Sequence, residues 1–339
     1  MRVNYRRQLE VQVGLDLRGS ERQGSERTRK PRKQTKEDDH ILRKKPNVYK
    51  GYMYPLYSKH VNIYKGKLFI KPKSPQQSTK VIVLDLDETI GSFQDLFILW
   101  QWIESVDEKN THQILFDKLL DLYPEFLRHG ILSILEYLSY KKTTGECSNI
   151  FLYTNNQCSP DSSKWIRLIT QYLDRKLELK IPLFDQLICA FKIDNKRVEM
   201  RRTTHQKTYQ DLIRCTLLPK STEICFLDNS YYPKLINDRV YYIQPKSYEH
   251  SLSTEEIIER FIISPLFTTG STLELQKWFS NYSFSRVRGN VDDFIVSQKI
   301  MYHLKEFFLL TTKKQKTRKI GIRLGRFTRK RSFTDLSSP

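Results

Sequence analysis

The sequence predicts an α/β fold built on a central parallel sheet, and three observations predict it. Residues 81–84 (Val-Ile-Val-Leu) form an apolar, mostly β-branched run without polar alternation, the pattern of a strand buried on both faces. Two further apolar runs, 149–153 (NIFLY) and 223–227 (EICFL), end like the first in polar tips: Asp85-Leu86-Asp87, Thr154-Asn155-Asn156 and Asp228-Asn229-Ser230. Stretches with helical periodicity lie between the runs, as crossover connections require. Open α/β sheets place their ligands at the carboxyl ends of such strands.

From the amino end, residues 1–46 are polar and densely charged, with Arg27, Arg29, Lys30, Arg32 and Lys33 close together and Arg43, Lys44 and Lys45 after them. Such a segment buries too little apolar surface to offset its ordering entropy. It reads as a disordered arm, either a solvated tail or a nuclear-localisation or nucleic-acid arm. Between 49 and 73 aromatic residues alternate with polar ones, which fits short strands or a loop lying on the core. After strand 80–84, residues 90–93 read as a turn and 96–103 (LFILWQWI) as the start of an apolar core helix. A second helix fits 112–122 and a third fits 130–142, where Ile131, Ile134, Leu135 and Leu138 fall at helical spacing.

Past strand 149–153, Asp161 or Ser162 caps a helix running to about 173, with Trp165, Ile166 and Ile169 facing inward. Residues 184–191 read as another strand or edge segment. Thr208 is a workable cap for a short amphipathic run through Tyr209, Leu212 and Ile213, followed by strand 223–227, a strand at 241–244 and a helix opening at Ser253-Thr254-Glu255-Glu256. Beyond 264 the pattern gives two more helices, 273–279 and 291–310. The second has Phe294, Ile295, Ile300, Met301, Leu304 and Phe308 on one face, suited to packing on the core or to oligomerisation. Residues 313–331 carry ten basic residues and no acid, which reads as a solvated tail or as a surface for an acidic partner.

The chain of 339 residues has a formal net charge of +20, which implies an acidic partner: nucleic acid, a phosphorylated protein or an anionic surface. The five cysteines, Cys147, Cys158, Cys189, Cys215 and Cys225, show no Cys-x-x-Cys or Cys/His spacing, which argues for a reducing compartment and against structural zinc. The start, MRVNYRRQLE, lacks the apolar core of a signal peptide, and no window approaches the roughly 18 apolar residues of a membrane-spanning helix. The expectation is a soluble intracellular protein without a membrane partner.

Asp85 and Asp87 carry the chemistry. Residues i and i+2 of a strand point to one face roughly 6–7 Å apart, so two carboxylates leaving a buried strand can converge on one small anion. Two acids aimed at an anion need a cation, and a hard metal such as magnesium is recruited through oxygen ligands. One carboxylate can then attack phosphorus while the other handles the proton.

Residues 85–89, DLDET, resemble the first motif of the haloacid-dehalogenase superfamily. The Glu88-Thr89 ending is similar to the phosphatases of the RNA polymerase II carboxy-terminal domain, the small-CTD-phosphatase and NLI-interacting-factor type. The segment from Phe126 to Gly130 resembles that branch's Arg-Pro-Gly lead-in, with His129 where proline usually stands. Thr154-Asn155-Asn156 resembles the second superfamily motif, Lys207 in THQKTYQDLIR the third (with Lys196 and Lys220 as rivals), and LDNS at 227–230 the fourth. Together with the basic ends, these variants also resemble the versions encoded by large DNA viruses such as invertebrate iridoviruses, whose setting would be the host nucleus or cytoplasm.

The resemblance implies a Rossmannoid three-layer fold without a large cap domain. It divides the chain into a basic arm (1–46), a catalytic domain (47–263), a helical extension (264–312) and a basic tail (313–339). It also implies a magnesium-dependent phosphomonoester hydrolase. Asp85 would be the nucleophile and Asp87 the general acid and base, while Thr154 and Lys207 would position and neutralise the phosphoryl group. Magnesium would be held by the Asp85 carboxylate, the Asp87 main-chain carbonyl and Asp228, with Asn229 completing its water shell. The expected substrate is a phosphoserine or phosphothreonine protein, with the polymerase C-terminal domain as the family's example and nucleic-acid contact through the basic arms. A polynucleotide 3′-phosphatase and a catalytically silent binding module are the other two readings.

Overall fold

The computed structural model describes residues 54–56, 59–70, 78–106, 113–156, 162–282 and 292–311. The arm at 1–46 and the tail at 313–339 lie outside the described residues. In chain order the strands are β1 (Tyr54–Leu56), β2 (Val61–Lys65), β3 (Lys80–Leu84), β4 (Asn149–Tyr153), β5 (Gln186–Ile188), β6 (Lys192–Ile193), β7 (Lys196–Arg197), β8 (Glu223–Leu227) and β9 (Val240–Pro245). The helices are α1 (Gln94–Val106), α2 (Gln113–Leu122), α3 (Ile131–Thr143), α4 (Ser162–Lys176), α5 (Tyr209–Thr216), α6 (Thr254–Ile263), α7 (Thr272–Ser280) and α8 (Asp293–Thr311).

The main sheet runs in the order β1-β2-β9-β8-β3-β4-β5, with β3 between its parallel neighbours β8 and β4. The β4–β5 and β8–β9 pairs are also parallel, while β2 joins β9 and β1 joins β2 antiparallel. The protein is therefore α/β with a mostly parallel central sheet. The aromatic-polar alternation before β3 becomes its antiparallel edge.

The run at 81–84 is fully buried, as a strand covered on both faces must be. One face presents Val81, Val83, Phe151, Phe226 and Tyr242 to Leu212 and Cys215 of α5. On the other face Tyr241 meets Phe307 of α8 edge-on. Helix α8 buries Val296, Ile300, Leu304, Phe307 and Phe308. Polar ties add to this packing: Lys65 pairs with Glu306 at 2.6 Å, and the Tyr241 hydroxyl donates to the same carboxylate. Buried Lys80, at the start of β3, donates to the Phe308 carbonyl at 2.8 Å, a cation on the last turn of a helix. Of the apolar face read at 291–310, Ile300, Leu304 and Phe308 are spent on the core, while Phe294 and Ile295 at its start are exposed.

Two local features depart from the sequence reading. The strand expected over 184–191 is regular only at Gln186–Ile188, because the chain then turns into the β6–β7 hairpin. Its turn residues Asp194 (φ 47°) and Asn195 (φ 62°) both adopt left-handed conformations, the geometry of a tight two-residue hairpin. Asp-Asn signals that turn more weakly than Asn-Gly does, and strands of two residues leave no alternation to read. The helix expected to end near 173 continues to Lys176.

Gly91 closes the turn after β3, bridging to Asp87 and Leu127. A Cβ there would fall against the Phe93 ring and the Phe126 carbonyl oxygen. Gly91→Ala is therefore expected to lower stability by about 1–3 kcal/mol, read as a shifted urea midpoint with an unchanged m-value.

Candidate active site

The β3 register places Leu84 beside Leu152 of β4 and Leu227 of β8. The three strands therefore release their polar tips at nearly one level: Asp85 and Asp87 from β3, Thr154 from β4, Asp228 and Asn229 from β8. The structure brings all of these together with Lys207.

Lys207 is the centre of the cluster. It immediately precedes Thr208, whose side chain caps α5 by accepting from the Asp211 amide at 3.0 Å. That cap fixes the approach of the chain, and Lys207 enters the sheet tip with its side chain 1 % exposed. Its Nζ lies 2.5 Å from Asp85 Oδ1 and 2.6 Å from Asp228 Oδ2. The rings of Tyr232, Tyr153 and Phe226 stand around it at 5.5, 5.7 and 5.9 Å. Burial works against the ammonium charge, but Asp228 and Asp85 outweigh it and hold the Lys207 pKa above its ordinary value. Lys196 and Lys220, by contrast, are exposed.

The two remaining acids sit differently. Asp228 is buried, with Oδ1 accepting from the Ser230 amide at 2.8 Å, and burial together with Asp85 raises its pKa to about 7. Asp87 is half-buried, and its Oδ2 accepts from Asn156 Nδ2 at 2.9 Å. Burial and the neighbouring Asp85 carboxylate raise Asp87 to about 7 as well. A carboxyl group that titrates near neutrality suits both giving and taking a proton.

Thr154 is buried and accepts from the Asn156 amide at 3.0 Å. Its hydroxyl hydrogen meets no acceptor among the described residues, so it remains available to an incoming oxygen. The Thr89 hydroxyl lies 3.2 Å from Asp85 Oδ2 and 2.9 Å from Asn229 Oδ1, and accepts from the Asn229 amide at 3.0 Å. It ties the first tip to the third. Asn229 Nδ2 donates to Glu88 Oε2 at 2.9 Å and to Ser247 Oγ at 3.1 Å. The Asn229 side chain is thus a link between loops in this arrangement.

Two arginines that the sequence did not single out as functional hold the tips. Arg128 is buried and donates from Nε to the Thr89 carbonyl (2.6 Å), and from Nη2 to the carbonyls of Glu88 (2.5 Å) and Lys246 (2.8 Å). Glu88 turns with φ 56°, a left-handed conformation that a non-glycine residue holds only when its surroundings dictate it. Burial lowers the Arg128 pKa to about 10, leaving it a cation throughout the neutral range. The only signal for it was its place before Gly130 in the partly matching lead-in. Arg128→Ala would strand the Thr89 and Lys246 carbonyls and leave Glu88 with the Tyr248 amide alone, and is expected to cost about 3 kcal/mol, measured by urea denaturation.

Arg202 is fully buried and donates to the carbonyls of Thr154 (3.1 Å), Cys189 (2.8 Å) and His205 (3.0 Å) and to Asn155 Oδ1 (2.7 Å). Asn155 in turn donates to the Tyr232 hydroxyl at 3.1 Å. In a chain with 58 lysines and arginines, nothing in the sequence marks this one.

Among the described residues no three His, Cys, Asp or Glu side chains are grouped as a ready metal cage. The described cysteines, Cys147, Cys189, Cys215 and Cys225, are buried and form no disulfide. No described helix is long and apolar enough to cross a membrane. Comparison with known proteins adds nothing to this picture: no family model matches the chain, and no curated protein or solved structure matches it.

Proposed function

We propose that this chain is a phosphomonoester hydrolase of the haloacid-dehalogenase type that works through an aspartyl phosphate on Asp85, acting on phosphoserine or phosphothreonine in proteins. The observation that carries the reading is the Lys207 ammonium shared by Asp85 and Asp228 at the carboxyl ends of parallel strands, with Asp87 and Thr154 at the same level. Two buried acids on one buried cation are costly as mere scaffolding, and the arrangement suits an incoming phosphate dianion.

In the proposed reaction an Asp85 oxygen attacks phosphorus and the bond from phosphorus to the serine or threonine oxygen breaks. Asp87 gives its proton to the departing alkoxide. Asp87 then takes a proton from water as the water oxygen attacks phosphorus, which breaks the Asp85–phosphorus bond and releases phosphate. The Thr154 hydroxyl is free to donate to a phosphoryl oxygen, and Lys207 offsets the charge gathered around the nucleophile. Thr89 and Arg128 keep the nucleophile in place.

The donor set also fits magnesium. The Asp85 and Asp228 carboxylates and the Asp87 main-chain carbonyl are hard oxygen ligands of the kind magnesium takes. When bound, such an ion would supply further charge neutralisation at the phosphoryl oxygens. Asn229 would act on its hydration shell, through loops that it already joins.

Among the described residues between β4 and β8 stand only α4, β5, the β6–β7 hairpin and α5, which leaves no separate cap domain in that segment. A site without such a cap suits a macromolecular substrate better than a small metabolite.

The test is magnesium-dependent phosphate release, measured side by side on a phosphoserine peptide of the polymerase repeat and on a 3′-phosphorylated oligonucleotide. Release from the peptide is the expected result. Release from the oligonucleotide alone would reassign the protein to nucleic-acid end processing. No release from either would leave a binding module.

A further inference from the structure

We infer that the β6–β7 hairpin and the loop after it form an oxyanion-binding rim that selects peptides carrying negative charge beside the scissile phosphate. The inference rests on the proposed reading of the site, and it assigns the hairpin a role that the catalytic argument does not need.

The hairpin springs from the end of edge strand β5, the same end of the sheet that holds the acids. Its base is welded to the site. Arg202 joins the carbonyls of Cys189, Thr154 and His205, and only five residues further on the chain reaches Lys207. Hairpin and catalytic lysine thus share one short segment.

Its side chains are mostly basic, with Asp194 in the turn and Glu199 in the following loop as the acids among them. Lys196, Arg197 and Arg201 are exposed and Lys192 is half-exposed, with His205 also at the surface. None of these four lysines and arginines makes an ion pair with a described carboxylate. Arg197 reaches the Arg202 carbonyl at 3.2 Å, and Arg201 the Cys215 carbonyl at 3.3 Å, so both guanidinium groups are oriented by backbone while the Glu199 carboxylate is held by the Arg201 amide at 3.3 Å.

The loops above β3 and β9 carry two exposed acids against one exposed cation, Lys246. Glu88 and Glu249 are both exposed there, held together by the Tyr248 amide donating to the Glu88 carbonyl at 2.9 Å. A bound chain therefore meets acid on one side of the site and base on the other. That polarity directs an anionic flank over the hairpin.

The chemistry favours a peptide over a nucleic acid. Single strands of nucleic acid bind by stacking bases on open aromatic rings along a basic groove. The hairpin's ring, Phe191, is buried, with Lys192 at 5.2 Å, Arg197 at 5.1 Å and the His205 ring edge-on at 5.3 Å. The rim offers point charges without a stacking surface. That suits the carboxylates of acidic residues or further phosphates on a phosphorylated peptide.

The experiment uses the full chain and three phosphoserine peptides of equal length: one with neutral flanks, one with glutamates on one flank, and one with a second phosphoserine there. Each is measured for KM and kcat with magnesium, and for binding by fluorescence anisotropy without it, on wild type and on the K196E/R197E double variant. The anionic peptides should show KM and Kd about tenfold lower than the neutral one, a difference that fades at about 0.5 M salt. In the double variant the preference should vanish while kcat on the neutral peptide is unchanged. A preference for glutamate equal to that for phosphoserine points to charge alone; a larger one for phosphoserine points to phosphate. Both support the rim.

Equal affinities in wild type would overturn the inference, as would a preference that survives charge reversal. So would a double variant that loses only a 3′-phosphorylated oligonucleotide, which would make nucleic acid the ligand. Turnover of the neutral peptide reports separately on the proposed activity, and anisotropy reads the rim even if that turnover is absent.

Discussion

Asp85→Asn is expected to abolish phosphate release, by about 10³-fold or more, while leaving the fold intact. The amide has the size of the carboxylate it replaces. Its oxygen can still accept from the Lys207 ammonium, and its nitrogen can face the Thr89 hydroxyl, which has lone pairs to offer. What disappears is the nucleophilic oxygen and one negative charge. With one charge fewer beside them, Asp87 and Asp228 should both ionise more readily, since Asp85 contributes to raising each. Phosphate release and a thermal melt on one preparation test both halves of the statement. Wild-type turnover in the variant would remove the assignment of Asp85, and a collapsed melt would show that the acid is structural.

Lys207→Met should damage the protein twice. Methionine matches the lysine stem in length and apolar character but carries no charge, so the Asp85 and Asp228 carboxylates would face each other in a buried site without a cation. Breaking a buried ion cluster by removing one partner typically costs about 3–5 kcal/mol. Turnover should fall together with stability, because the same ammonium neutralises the nucleophile's surroundings. The informative readout is the urea midpoint with and without millimolar magnesium. If the two carboxylates form a divalent-ion site, magnesium should restore a large part of the lost stability in the variant and add much less to wild type. A variant as stable as wild type, or one indifferent to magnesium, would count against the cluster as drawn.

The parts of the molecule that were legible in the sequence are those where one local signal is strong. The runs that became β3, β4 and β8 announce themselves because strands buried on both faces tolerate no polar residue, and their polar tips therefore stand out. Thr208 was readable as a cap because a hydroxyl before an amphipathic run has few other uses. Lys207 followed from that cap and from its order in the chain.

The remainder is set by contacts over long separations. Arg128 acts on carbonyls about 40 residues upstream, and Arg202 on the tip of a strand 48 residues away. A buried arginine that serves backbone carbonyls has the same letter as a solvated one, and no periodicity distinguishes them. The hairpin was lost for another reason: its strands are two residues long and its turn is Asp-Asn. Asn156 was read only as part of a polar tip. Its grip on Asp87 depends on the β3–β4 register, which no single strand encodes.

The salt bridge from Lys207 to Asp85 spans 122 residues of chain. Drawing such distant segments together carries a loop-closure cost that is repaid only once the intervening strands have paired. A half-folded molecule therefore has strands and helices but not the Lys207–Asp85 pair, since Asp85 finds its cation only after α5 has docked on the sheet. If the proposed activity holds, refolding followed by far-ultraviolet circular dichroism should run ahead of refolding followed by phosphate release. On that proposal the chain would be silent while it is still assembling, and a nascent chain would strip no phosphate from bystanders before the site was in place.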